Sequence, residues 1–153
     1  MAARQQGVVG RPTRPDNLHL TLAFLGQQPA TALPLLETAL AALPATPLPL
    51  LLNHSGYFPR HRIAWISPEP APAALLALQQ NLTQALAQLP LRYEAPAHFM
   101  PHVTLARNAP AAPDPAMAPV AWRSSQIVLV QSDTLAQGAH YRVLAARRLE
   151  EAS

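Results

Sequence analysis

The sequence predicts an α+β fold of two lobes in a single domain over residues 1–153, with two mostly antiparallel sheets flanking a central cleft and the helices outside. Three observations point there. Strand-like and helix-like stretches follow one another as strand, helix, strands, helix, strands, without the regular βαβ spacing of a doubly wound parallel sheet. Two leucine stripes at helical spacing mark the helices. One short pattern, His-x-Thr-Leu-Ala, is written twice, at His19 and at His102, as expected of a duplicated strand with one copy in each lobe.

Taken in order, residues 1–17 are polar and read as an irregular lead-in to a strand at 18–25, which Gly26 closes. Pro29 and Thr31 open an amphipathic helix to about Leu43, striped by Leu33, Leu36, Leu40 and Leu43 and stopped by Pro44. The apolar run Pro47–Phe58 reads as a strand, Pro59-Arg60-His61-Arg62 as a turn or exposed loop, and Ile63–Ile66 as a further strand containing Trp65. A second helix spans about Ala73 to Leu89, with Leu75, Leu78, Leu82, Leu86 and Leu89 on one face. Leu91–Glu94 is a short strand candidate, 102–107 a strand, and the Pro/Ala-rich residues 108–121 a long surface loop. Gln126–Ser132 and Tyr141–Arg147, joined around Gln137-Gly138, read as an antiparallel hairpin.

Composition bounds the function. The chain has 153 residues, half of them apolar and only 12% charged, which favours a folded domain despite 18 prolines. All eleven basic residues are Arg, and the net charge of +3 permits an anionic substrate without the dense basic stripe of a long nucleic-acid track. The absence of cysteine removes disulfides, thiolate nucleophiles and thiolate metal ligands. No signal-peptide pattern opens the chain and no apolar stretch approaches a membrane span, so the expectation is a cytoplasmic protein with no membrane association and no obligate protein partner.

The chemistry sits in the repeated pattern. Side chains alternate faces along a strand, so His19 and Thr21 share one face while Leu18, Leu20, Leu22 and Phe24 take the other. His102 and Thr104 repeat this against Val103 and Leu105. Two imidazoles can supply an acid to a leaving oxygen and a base to an attacking hydroxyl or water, and two hydroxyls can hold non-bridging phosphate oxygens. Metal-free phosphodiester cleavage needs that inventory; no acidic cluster or P-loop suggests a two-metal site or a nucleotide triphosphatase. Arg107 is displaced by an odd number of residues from His102, so a regular strand turns it away, whereas a bulge or strand end would let it reach a phosphate. Phe99 and Met100 read as core, and Tyr57 and Phe58 as possible core. His54, His61, His98 and His140 read as surface residues in turns or loops, and Arg60 and Arg62 as a solvated loop or an anion-attracting rim.

At Arg14-Pro15-Asp16-Asn17-Leu18-His19-Leu20-Thr21-Leu22-Ala23-Phe24-Leu25-Gly26 and Phe99-Met100-Pro101-His102-Val103-Thr104-Leu105-Ala106-Arg107 the chain resembles the two-histidine (2H) phosphoesterase superfamily. Within it, the match is to the LigT-like RNA 2′,3′-cyclic phosphodiesterases, historically called 2′-5′ RNA ligases. Gly56-Tyr57-Phe58-Pro59, Ile63-Ala64-Trp65-Ile66 and Val128–Ser132 add weaker support. The resemblance implies a bilobal fold and hydrolysis of a terminal RNA 2′,3′-cyclic phosphate to a 2′-phosphomonoester, with no metal or other cofactor. RNA ends or cyclic nucleotides would be the substrates. It implies His19 as general acid, His102 as general base, Thr21 and Thr104 as phosphate-holding hydroxyls and Arg107 as a phosphate contact. The alternatives are a non-catalytic nucleotide- or RNA-binding module of the same fold, or 2′-5′ ligation as the reverse chemistry. Relatives normally carry a strand and a helix before the first motif, so roughly 30 further residues are expected upstream of this start.

Overall fold

The computed structural model describes residues 10–136 and 138–150. In chain order these form β1 (Arg11–Pro12), α1 (Leu33–Ala41), β2 (Leu48–Leu52), β3 (His54–Phe58), β4 (Ile63–Ser67), α2 (Ala73–Ala87), β5 (Val103–Arg107), β6 (Val120–Ser124), β7 (Gln126–Leu135) and β8 (Gly138–Arg148), with 3₁₀ turns at Pro15–Asn17 and Ala30–Ala32. Three sheets result. One has four strands in the order β1-β5-β4-β3, β2 pairs with β6, and β7 pairs with β8. Every strand contact within the four-stranded sheet is antiparallel, as is the β7–β8 hairpin.

The chain divides into two compact units. One holds the described residues up to Leu22 with Pro49–Ala73 and His98–Arg123; the other holds Ala23–Leu48, Ala74–Ala97 and the described residues from Ser124 onward. In the first, Leu52, Ile66, Val103 and Leu105 are fully buried. In the second, Ala32, Leu36 and Leu86 form a buried cluster on which Leu25, Leu82, Leu89, Tyr93 and Leu129 pack. Leu36 of the first leucine stripe and Leu82, Leu86 and Leu89 of the second therefore meet in one core. Among the described residues, no helix is long and apolar enough to cross a membrane.

Several elements differ from expectation, for identifiable reasons. The stretch 18–25 is not a ladder strand: its single bridge is Leu20 to Val103. β1 already takes the rest of that edge of β5, with Arg11 opposite Arg107, Pro12 opposite Ala106 and the Thr13 N–H donating to the Leu105 carbonyl at 2.8 Å. β1 itself lies in the expected irregular lead-in, because Arg-Pro carries no apolar alternation and becomes strand only by pairing with an edge, where a proline costs no ladder bond. The run Pro47–Phe58 splits at Asn53 into β2 and β3, which join different sheets. The Asn53 side chain holds that corner, donating to the Glu69 carbonyl and accepting the Glu69 N–H, both at 2.8 Å.

Leu91–Glu94 forms no strand; Leu91 and Tyr93 instead pack on the second unit's core. β6 begins inside the expected loop, at Val120. Gln137, expected in the hairpin turn, lies outside the described residues. His54 and His140 lie on β3 and β8 rather than in loops, although both are exposed.

Candidate active site

The bridge between Leu20 and Val103 organises the site. In an antiparallel pair the bridged side chains share one face and their neighbours take the other. The register therefore sets His19 beside Thr104 and Thr21 beside His102, all four on the face opposite Leu20 and Val103. Burial agrees, since His19 and Thr21 are exposed and His102 and Thr104 half-buried, while Val103 is fully buried. Each histidine thus stands next to the other motif's threonine, and the two imidazoles lie on the diagonal, where neighbours are roughly 7–8 Å apart. His19–Thr21 and His102–Thr104 fall in the same unit, with the first segment laid against β5 at the Leu20–Val103 bridge.

The two histidines are held by the same device. The His19 Nδ1–H donates to the Asn17 carbonyl at 2.5 Å, and the His102 Nδ1–H donates to the Met100 carbonyl at 2.7 Å. A carbonyl only accepts, so the proton is on Nδ1 in both rings. Nε2 is then the nitrogen that can take or give the reacting proton, and the bond to the backbone fixes the ring plane. The 3₁₀ turn at Pro15–Asn17 presents the first carbonyl. Met100, expected in the core, is 54% exposed and serves the site through its backbone.

Arg107 reaches this face through an irregularity in β5. Trp65 pairs with Thr104, but Ala64 pairs with Ala106, so β5 carries one extra residue, Leu105, against β4. Such a bulge reverses the alternation beyond it. Burial shows the reversal: Val103, Leu105 and Ala106 are all fully buried, whereas Thr104 is half-buried and Arg107 exposed. Arg107 consequently shares the face of His102 and Thr104, which a regular strand would deny it. Thr13 braces the bulge, its hydroxyl donating to the Thr104 carbonyl at 3.0 Å.

An aromatic group encloses His102. The Phe58 ring meets it edge-on at 5.2 Å between centroids, and Trp65 lies 6.1 Å from it; Phe58 and Trp65 are 5.3 Å apart, and His54 is 5.8 Å from Trp65. Trp65 fits because its cross-strand partner is Gly56: a Cβ there would overlap the indole ring. Phe58, Trp65, Thr13 and the carbonyls of Asn17 and Met100 were not singled out for the site by sequence reasoning. For the aromatics the available signal was Gly56, a glycine inside a strand two positions from Phe58. Among the described residues, no group of three or more His, Asp or Glu comes together in a way that would hold a metal ion.

With this geometry established, comparison with known proteins gives it a lineage. Residues 4–135 match the model of the 2′-5′ RNA ligase superfamily. The chain is 34% identical over 100 residues to the RNA 2′,3′-cyclic phosphodiesterase of Escherichia coli; the aligned stretch covers 65% of this chain and 56% of that protein. To the RNA 2′,3′-cyclic phosphodiesterase of Thermus thermophilus it is 33% identical over 147 residues, 88% of this chain and 73% of that one. The crystal structure of E. coli LigT complexed with 3′-AMP superimposes with a TM-score of 0.79 at 25% identity, covering 99% of this chain and 94% of LigT. The match over residues 4–135 and the similarity along most of the chain show its family: the protein belongs to the 2′-5′ RNA ligase superfamily.

Proposed function

We propose that the chain is an RNA 2′,3′-cyclic phosphodiesterase, which opens a terminal cyclic phosphate to a 2′-phosphomonoester by acid–base catalysis with two histidines and no metal. The observation that carries this reading is the antiparallel pairing of the two motifs at Leu20 and Val103, with each imidazole oriented through Nδ1. Two relatives are named for the same activity, which supports it.

In the reaction, neutral His102 takes a proton from water through Nε2 as the water oxygen bonds to phosphorus. The bond from phosphorus to O3′ breaks, and His19, protonated on both nitrogens, gives its Nε2 proton to O3′. Thr21 and Thr104 donate hydrogen bonds to the non-bridging oxygens, and Arg107 offsets the charge that gathers on them. The acid and base roles follow the family resemblance, since the two motifs are arranged symmetrically. The product leaves with His19 neutral and His102 protonated, and exchange with water restores both.

The test is incubation of a short RNA ending in a 2′,3′-cyclic phosphate, with EDTA present, followed by identification of the end group. A 2′-phosphate is expected, with turnover falling about 10²- to 10⁴-fold in His19→Ala and in His102→Ala. A 3′-phosphate would retain the two histidines but exchange the leaving oxygen. RNA that binds without being cleaved would make the protein a binding module.

A further inference from the structure

Arginine supplies all eleven Lys/Arg-type charges in this protein, and four of the eleven gather at one end of the four-stranded sheet. Three backbone ties bring them together. Arg11 on β1 is the direct cross-strand partner of Arg107 on β5, so both side chains leave the same face, the face that carries His102 and Thr104. Gly10 is pressed so closely on the segment after β5 that a Cβ would stand 2.9 Å from the Arg107 carbonyl oxygen and from the Ala109 Cα. The Ala109 N–H donates to the Arg62 carbonyl at 3.0 Å, which fastens the tip of the β3–β4 hairpin, with Arg60 and Arg62, to the same place.

All four arginines are exposed, and among the described residues none is paired with an acidic side chain. Holding like charges together without counterions costs free energy, so such a group marks a site for a multiply charged anion. Thr104 and Arg107 are three residues apart along β5, about 10 Å at most. That is on the order of one nucleotide step away from a phosphate held at the histidines.

We propose that Arg11, Arg60 and Arg62 form, beside Arg107, a second phosphate site that takes the phosphodiester preceding the terminal phosphate. The ligand class is a single-stranded RNA end of two or more nucleotides, as opposed to a cyclic mononucleotide. This rests on the reading of the histidine face as the site for the terminal phosphate. The charge is deployed where the polymer continues, which reconciles a net charge of only +3 with a polyanionic substrate.

The test compares wild type with the triple variant Arg11→Gln/Arg60→Gln/Arg62→Gln, both shown to be folded by thermal melting. The first readout is kcat/KM for a pentanucleotide with a 2′,3′-cyclic end divided by kcat/KM for the matching cyclic mononucleotide. Wild type is expected to favour the pentanucleotide, and the variant to reduce that ratio about tenfold. The second readout is fluorescence anisotropy with a 5′-labelled pentanucleotide ending in a 3′-phosphate, over a range of salt. The variant should bind about tenfold more weakly, with the slope of log K against log salt reduced by about 0.7.

An unchanged ratio and unchanged binding in the variant would overturn the proposal while leaving the hydrolysis reading intact. Wild type that cleaves neither substrate, but binds the pentanucleotide through these arginines, would overturn the hydrolysis reading and keep the arginine site.

Discussion

Which nitrogen of a histidine can exchange a proton is set by the hydrogen bond its other nitrogen makes, and here backbone makes that bond. The Asn17 and Met100 carbonyls each take an Nδ1–H from the histidine two residues on, which leaves Nε2 for the proton of the proposed reaction. In the proposed reaction turnover needs a proton donor and a proton acceptor at once, so the rate should pass through a maximum as pH is varied. A flat profile for wild type would contradict the acid–base reading. The histidines and threonines were legible in the sequence because the pattern is written twice in side chains. The orienting carbonyls were not, because any residue supplies one. Phe58 was not either, since its ring meets His102 only through the folding of β3 against β4 and β5.

Pairing between elements decides what alternation alone leaves open. β4, β5 and the β7–β8 hairpin were legible from local pattern, whereas β1 and β6 are short segments made into strands by the edges they meet. Arg107 shows the same limit at a candidate site position: its face depends on the extra residue in β5 opposite Ala64 and Trp65, which only the register reveals. The β3–β4 pair is equally specific. Gly56 lies under the Trp65 indole, and Trp65 in turn packs on Phe58 and near His102. Gly56→Ala should push the indole aside and lower stability by about 1–3 kcal/mol, read from denaturant unfolding. It should also lower kcat more than it raises KM, because the displaced ring belongs to the group that encloses His102. Full stability with full kcat in this variant would show that the aromatic group is not needed to hold the histidine.

At the scale of the whole molecule, the proposed catalytic inventory and the buried cluster of Ala32, Leu36 and Leu86 belong to different units. His19, Thr21, His102, Thr104 and Arg107 all fall in the first unit, while Leu36 of α1 and Leu82 and Leu86 of α2 pack with Ala32 in the second. The division separates two effects that a single mutation often confounds. Leu86 is 2% exposed and packs within the second unit's core, so Leu86→Ala deletes buried apolar volume in a different unit from every residue of the proposed chemistry. Its expected cost is about 2–5 kcal/mol, the upper end applying if the cavity does not collapse. Measured well below the unfolding transition, kcat on a cyclic-phosphate RNA should stay within about twofold of wild type, because the carbonyls that orient both imidazoles and the strands that pair them lie in the first unit. A fall in kcat with unfolding still negligible would mean that the second unit contributes to the site. A loss that tracks the unfolded fraction would confirm that its role in activity is stability alone.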